Sequence, residues 1–557
     1  MEMKVVRPGL DEVEFFAMGG SEEIGMNLYV YRYDGRMLIV DFGITFGDDS
    51  TPGVDVIMPD IGFLEENRDA IDGIVLTHGH EDHFGALQYL WPRLNCPVYC
   101  TPFTATFLAL KLQGTSFASE VPIVEVPLSG RRTIGAFDIE FISVTHSIPE
   151  PNALVIRVGD STVVHSGDWK LDPDPMVGDV TDVAALRRLG DEGVTAFICD
   201  STNAMEAGRS GSERTVQDAL TRLIAERTGR IAVTCFSTNV ARLNAVAHAA
   251  HAAGRHCALV GRSLWRIHEA ATRCGYIDVP EPFVSETDAG FLPPDKVVLV
   301  CTGSQGEARS ALARIARNDH PNIVLTRGDT VIFSAREIPG NEKSIGRVQN
   351  NLIRLGVRVI TPDDEEGVHV SGHPAADELA EMYQWLRPGI VVPVHGTVRH
   401  LEANAAIARS CQVPEVVLPH DGAVIRLTPG AAGIVDEVPV GQTGLDGHRL
   451  IAMNSGVIRA RHKVINNGAA VATVVLNGKG EAVTAPRVTL IGLDGDSELA
   501  ASQDTVADDV ADVIDAMPRA DRMEDTLIQE VVRRAVRRSV RQTFGKKPVT
   551  EVHVVRV

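Results

Sequence analysis

His78-Gly79-His80-Glu81-Asp82-His83 packs four potential metal ligands, His78, His80, Asp82 and His83, into six residues. It follows the apolar run Ile74-Val75-Leu76, which reads as a buried strand. Phe84-Gly85-Ala86-Leu87 then opens a helix. The ligands therefore sit on the loop leaving a strand end. Neutral imidazole and carboxylate are donors that a divalent first-row ion takes. One ion needs three or four of them, so a cluster this dense reads as two ions sharing a site. Two such ions can clamp the attacking and leaving oxygens of a phosphoryl displacement. A polar surface loop that happens to be rich in histidine is the bland alternative, and the rest of the chain argues against it.

Further donors recur just past short apolar runs. Asp41 closes Met37-Leu38-Ile39-Val40, and His146 follows Ile142-Ser143-Val144. Asp168 comes soon after Thr162-Val163-Val164, Asp200 ends Ala196-Phe197-Ile198-Cys199, and His395 ends Ile390-Val391-Val392-Pro393-Val394. Sites in α/β sheets collect at such strand ends. One example would be a turn residue or a cap; this many, beside the dense cluster, read as one site.

Composition fits an enzyme. A chain of 557 residues exceeds one core and suggests about two to four domains. Hydrophobic residues make up 44% and charged residues 23%, which is ordinary for a globular chain. No window is apolar for long enough to span a membrane, and residues 1–10 lack the apolar core of a signal peptide. The eight cysteines form no CxxC pair and several lie inside apolar runs, so they read as buried thiols of a reducing, cytoplasmic compartment. The net charge of −21 argues against a nonspecific nucleic-acid coat but leaves room for a nuclease with local cations in a cleft. One basic stretch exists, Arg533, Arg534, Arg537, Arg538 and Arg541, followed by Lys546 and Lys547. Its spacing marks one helix face. A solvated face is the favoured reading over an RNA contact or an interface.

The pattern of elements changes along the chain. Residues 14–200 alternate short strands and turns. From Ser212 a helix–strand–helix pattern begins, which is a separate α/β unit. Near Glu366 the first pattern resumes. The expected organisation is a first domain in two parts, 1–205 and 366–450, with a unit inserted at 206–365. A linker at 451–467 leads to a small strand-rich domain at 468–557 with one long helix. Residues 494–512 are acidic and read as a mobile loop or helix edge.

The motif HGHEDH, with Asp41, His146, Asp168 and His395, resembles the metallo-β-lactamase fold. Cys199-Asp200-Ser201-Thr202-Asn203, His369-Val370-Ser371-Gly372-His373 and Pro393-Val394-His395-Gly396 are similar to the three motifs of the β-CASP nucleases. Two further stretches, residues 301–307 (CTGSQGE) and 338–342 (IPGNE), resemble bacterial ribonuclease J. The likeness covers nearly the whole chain. It implies an α/β protein, namely a metallo-β-lactamase αββα sandwich with an inserted β-CASP α/β domain and a small α+β C-terminal domain. It implies RNA hydrolysis, both 5′-to-3′ exonucleolytic and endonucleolytic, in mRNA decay and rRNA maturation. It also implies single-stranded RNA as partner, a homodimer or homotetramer, and membership of an RNA-degradation complex. Ser334-Ala335-Arg336-Glu337, ahead of the second stretch, departs from the expected smaller residues. That departure bears on contacts near the RNA, not on the chemistry.

The resemblance also implies roles. His78, His80 and His146 would hold one ion, and Asp82, His83 and His395 the other, with Asp168 bridging. Zinc is expected first and manganese second. Water activated between the ions would attack phosphorus in line. The catalytic set is His373, Asp200 and Asp82, with His373 the proton donor to the leaving oxygen and Asp200 its orienting carboxylate. Asp41 is expected to accept from a ligand imidazole. His369, Ser371 and Gly372 are assigned to RNA phosphate, and Ser237 and Ser304 more weakly so. His165 and His400 are read as structural. The alternatives are a β-CASP DNA nuclease or a catalytically weak RNA-binding scaffold. The scaffold would have lost a ligand, and none is missing.

Overall fold

The computed structural model describes residues 11–338, 340–493 and 499–557. The stretch 1–10, Pro339 of the IPGNE motif and residues 494–498 of the acidic segment lie outside the described residues. The chain divides into two compact units. One is formed by residues up to Phe46 with Val56–Thr443, the other by Gly47–Asp55 with Gly444–Val557.

The first unit is built on two facing sheets. Eight strands run in the order Gly433–Glu437, Ala423–Thr428, Val13–Gly19, Leu28–Tyr33, Arg36–Val40, Ile71–Val75, Val98–Cys100, Ile123–Glu125. Seven more run Arg131–Ile134, Phe137–Ser143, Asn152–Val158, Ser161–His165, Ala196–Asp200, Ile390–Val394, Glu415–Val416. Period-two alternation decides which side chains meet between them. Leu154 and Ile156 point inward to Phe15, Tyr31, Val40 and Phe141, while Val155 points outward. The outer side is covered by residues of the helices Val183–Glu192, Ala376–Leu386 and Val398–Ser410. Each fully buried Leu, Ile or Phe of this core contributes about 1.5–3 kcal/mol. Helices Leu87–Leu94 and Pro102–Leu112 make the crossovers between parallel strands of the first sheet. The result is the expected αββα sandwich.

The inserted segment leaves after Ala196–Asp200 and returns before Ile390–Val394, and those two strands pair in parallel, Asp200 opposite Val394. It carries a six-stranded sheet in the order Val284–Ser285, His256–Val260, Val297–Cys301, Ile231–Thr234, Thr330–Phe333, Arg358–Ile360, with every pairing parallel. Its strands read as continuous apolar runs because a parallel sheet is buried on both faces. Buried Arg242 gives two nitrogens to Glu213 and one to the carbonyl of Ser334 at 2.6 Å. Ser334 Oγ in turn donates to the Val368 carbonyl at 2.6 Å. This chain ties the inserted sheet to the returning segment.

The second unit has the strands Arg487–Ile491, Ala469–Leu476 and Val549–Arg556, with helices Leu499–Asp515 and Asp525–Phe544. One expectation changes and one is narrowed. Residues 456–467, read as linker, form the helix Gly456–Asn467. Arg461 from it donates to the Pro52 carbonyl at 3.1 Å, and His462 Nε2 to the Ser50 carbonyl at 2.7 Å. The segment Gly47–Asp55 therefore packs with the C-terminal unit. The described part of the acidic stretch, from Leu499, is helical, and Val506, Val510 and Ile514 are buried there. Its apolar residues at helical spacing outweigh its acidity. Among the described residues no helix is long and apolar enough to cross a membrane.

Candidate metal centre

The HGHEDH loop begins at the end of strand Ile71–Val75, and its latter half forms the short helix Glu81–Phe84. The loop is pressed onto the neighbouring strand ends. Asn27 N donates to the Asp82 carbonyl at 2.9 Å and Phe42 N to the His83 carbonyl at 2.5 Å. A Cβ on Gly43 would stand 1.6 Å from the Asp82 carbonyl oxygen, so only glycine permits this approach. Asp41 and His395 both have left-handed backbone, φ 62° and 54°, an uncommon conformation that collects at functional sites.

Two groups of side chains converge, sharing Asp168. One is His78, His80, His146 and Asp168; the other is Asp82, His83, Asp168 and His395. In the first, His80 Nδ1 is 3.0 Å from both His78 Nε2 and His146 Nε2. In the second, His83 Nε2 is 3.2 Å from Asp168 Oδ2, and His395 Nε2 is 3.3 Å from Asp82 Oδ2 and 3.4 Å from Asp168 Oδ1.

The outward nitrogens of four of these rings are each tied to an oxygen that accepts. His83 Nδ1 donates to Asp41 Oδ2 at 2.7 Å, and His146 Nδ1 to the Gly372 carbonyl at 2.6 Å. Thr77 Oγ1 spends its proton on Asp41 Oδ2 at 2.8 Å, so it accepts from His78 Nδ1 at 3.0 Å. Thr202 Oγ1 spends its proton on the His395 carbonyl at 2.9 Å, so it accepts from His395 Nδ1 at 3.1 Å. With the proton outward, each inner nitrogen keeps its lone pair, and that of His83 Nε2 also lies 3.0 Å from the Asn27 amide Nδ2. His395 Nε2 and Asp168 Oδ1 are buried with no hydrogen-bond partner among the described residues. Converging lone pairs and orphaned buried acceptors fit divalent cations.

Electrostatics agree. Burial holds His78, His146 and His80 below the usual imidazole range, His80 down to about 4, so they stay neutral donors. Burial also opposes a charge on His83 and His395, but the surrounding carboxylates, Asp168 foremost, outweigh it and push His395 up to about 10. This half of the centre therefore attracts positive charge.

Beside the shared carboxylate stands a third group, Asp168, Asp200 and His373. His373 Nδ1 is 2.8 Å from Asp200 Oδ2 and 3.8 Å from Asp168 Oδ2. Burial disfavours its charge, yet Asp200 and then Asp168 raise it above the ordinary imidazole range. Asp200 Oδ1 accepts from Thr202 N at 2.9 Å, which fixes the carboxylate.

The remaining expected residues divide. Ser371 lies beside His373, its Oγ accepting from His373 N at 3.2 Å. The buried His369 Nδ1 has no partner among the described residues, and burial together with Arg242 and Lys170 keeps the ring neutral. Gly372 has a contact the sequence reading did not assign, the carbonyl on His146. Ser237 and the buried Ser304 follow the strands Ile231–Thr234 and Val297–Cys301, outside the three donor groups. Asp41 meets its expected imidazole, His83. His165 Nδ1 pairs with Tyr31 in the core and His400 Nδ1 with Thr397, as structural histidines do. Arg336, in the stretch that departs from expectation, reaches Asn203 Oδ1 at 2.7 Å and Glu206 at 2.5 Å. Sequence reasoning missed Thr77 and Thr202 as orienting groups. Their only signal is adjacency, one residue before His78 and two after Asp200.

Comparison with known proteins gives the family. Residues 25–234 match the metallo-beta-lactamase superfamily, 228–352 the ribonuclease J beta-CASP domain, 365–410 the Zn-dependent metallo-hydrolase RNA specificity domain, and 456–557 the ribonuclease J C-terminal domain. The chain is 45% identical to ribonuclease J of Sinorhizobium meliloti over 98% of both chains, and 39% identical to that of Mycolicibacterium smegmatis over 97% of both. A crystal structure of a protein of unknown function from Enterococcus faecalis covers 74% of this chain and all of its own, with a TM-score of 0.52 at 16% identity, and supports the fold alone.

Proposed function

The chain belongs to the ribonuclease J family of metal-dependent ribonucleases, and from that premise we propose how its own residues divide the work. His78, His80 and His146 hold one divalent ion, Asp82, His83 and His395 a second, and Asp168 is shared. Zinc is the first choice and manganese the second, since both accept this nitrogen and oxygen donor set. When bound, the ions acidify water and offset the charge that builds on the phosphate oxygens.

The protein supplies orientation and a proton. Asp41, Thr77, Thr202 and the Gly372 carbonyl keep the ligand imidazoles in one tautomer. His373, charged through Asp200 and Asp168, delivers its proton to the leaving 3′ oxygen, and Asp200 holds the ring while it does so. His369 and Ser371 are assigned to RNA phosphate, with the Ser371 hydroxyl as the donor. Gly372 contributes by lacking a side chain, and Ser237 and Ser304 are assigned to RNA phosphate more weakly. The activity is 5′-to-3′ exonucleolytic and endonucleolytic on single-stranded RNA, serving mRNA decay and rRNA maturation in the cytoplasm. The working form is a homodimer or homotetramer within an RNA-degradation complex.

The observation that carries this reading is the junction of Asp168 with both donor groups and with His373. The test uses RNA labelled at its 3′ end with 5′-monophosphate, 5′-triphosphate or 5′-hydroxyl, in zinc, manganese or chelator, beside His80→Ala. Mononucleotide release that needs metal, is fastest from the monophosphate and is lost in the variant supports it. Binding without cleavage in any metal refutes the catalytic assignments and leaves the scaffold.

A further inference from the structure

Residues 531–548 contain seven Lys and Arg and no Asp or Glu, in a chain of net charge −21. The helix Asp525–Phe544 runs through this stretch and buries Ile528, Val532, Ala535, Val536, Ser539 and Val540. At 3.6 residues per turn, Arg534, Arg537, Arg538 and Arg541 fall on the opposite side, and all four are exposed. Lys546 and Lys547 continue the exposed series past Gly545.

Arg533 and Arg534 share Glu530, and Arg537 Nε reaches the Pro548 carbonyl at 3.4 Å. Arg538, Arg541, Lys546 and Lys547 have no carboxylate partner among the described residues. Some exposed helical arginines elsewhere are relieved four residues away, as in Arg188 with Glu192, Arg222 with Glu226 and Arg273 with Glu269. Here cations stand three and four residues from one another, an arrangement that opposes helix formation. The helix dipole accounts for Arg541 in the last turn but not for Arg534, Arg537 or Arg538. The self-repulsion is relieved by a polyanion, whose phosphates the planar guanidinium fork fits bidentately.

We propose that this face of the C-terminal unit is a second RNA-binding surface, separate from the metal centre, taking the sugar-phosphate backbone of single-stranded RNA without regard to sequence. The proposal rests on the ribonuclease reading for its choice of polyanion. A bare arginine stripe holds phosphate and does not discriminate bases.

The test compares the metal-loaded, full-length enzyme with its Arg538→Gln/Arg541→Gln/Lys546→Gln/Lys547→Gln variant. Binding is measured against salt for two cleavage-resistant phosphorothioate RNAs, one short enough to occupy only the metal centre and one several times longer. Each neutralised phosphate adds about 0.7 to the slope of log affinity against log salt on a single strand. The variant should lose up to about 3 of that slope on the long RNA, and about tenfold or more in affinity at physiological salt. Binding and cleavage of the short RNA should not change. An Arg538→Lys/Arg541→Lys variant should keep the slope. Equal slopes for wild type and the glutamine variant on long RNA overturn the proposal. So does a change of oligomeric state by light scattering with the slope intact, which makes the face a contact between copies. If the wild type neither binds nor cleaves either RNA, the ribonuclease reading itself has failed.

Discussion

The Gly372 carbonyl accepts from Nδ1 of His146 at 2.6 Å. Backbone that returns from the inserted domain thus holds an imidazole that belongs to the sandwich. A Cβ on Gly372 would stand 2.6 Å from Cε1 and 2.7 Å from Nδ1 of that ring. The ring is buried and packed against His80 and His373, so it has little room to yield. Gly372→Ala should therefore loosen the His78, His80, His146 group. Metal content by mass spectrometry should fall toward one ion per chain, and kcat/KM by about tenfold to a hundredfold. Full metal content in the alanine variant would refute this.

Asp41 accepts from His83 Nδ1 at 2.7 Å and from Thr77 N at 2.8 Å. Asp41→Asn keeps the shape but removes the charge. Zinc affinity of the second group should drop about tenfold to a hundredfold, read by competition with a chelating dye.

A pH profile tests the proton donor. Asp200 and Asp168 raise His373 against the effect of burial, so its proton persists to higher pH than on a free imidazole. A group acting as acid supports turnover below its pKa and loses it above. In Asp200→Asn the upward pull weakens, and the alkaline limb of kcat should move to lower pH. The rate at the optimum should fall about a hundredfold or more. An unmoved limb would assign the proton to another group.

Glu23 and Asp421 form a carboxyl pair, accepting from Gly20 N and Ser21 N respectively. Burial first, then each other's proximity for Glu23, pushes Glu23 up to about 8, and burial pushes Asp421 up to about 6. Both folded values lie above the unfolded ones. The pair therefore favours the fold fully only in acid, and that contribution is lost as pH rises through about 6 and then about 8. Glu23→Gln should match the wild type in Tm near pH 5 and exceed it by about 2 °C or more near pH 9. A constant difference across that range would count against the raised pair.

Arg242 and Glu213 are both buried, and Arg242 also bonds Ser334. Removing one partner strands a buried charge, at a cost of about 3–5 kcal/mol. Arg242→Met should unfold the inserted domain at markedly lower temperature, seen by hydrogen exchange over strands Ile231–Thr234 and Thr330–Phe333. The double change with Glu213→Leu should recover much of the loss.

The sequence was legible where chemistry is local. HGHEDH carries its ligand density within one loop, and the other donors sit at strand ends that alternation already marks. The inserted domain announces itself by a change of period between Asp200 and Glu366. What sequence hid is long-range or carried by backbone. A carbonyl has no residue identity, so Gly372 read as a small phosphate-binding residue, not as a support for His146. Thr77 and Thr202 are common residues whose meaning comes from which oxygen their proton reaches. The helix Gly456–Asn467 buries only Ile458 while Val457, Val464 and Ile465 stay exposed, so its helical period was weak and it read as linker. The packing of Gly47–Asp55 with the C-terminal unit depends on Arg461 and His462, hundreds of residues downstream.

The insertion lies between the strand that ends at Asp200 and the neighbouring strand that ends just before His395. More than half the chain separates His78 from His395. A chain still emerging from the ribosome holds the HGHEDH loop early but lacks His395 until the whole insert has been made. On the proposed ligand assignments, the centre is therefore complete only when translation of that region is over.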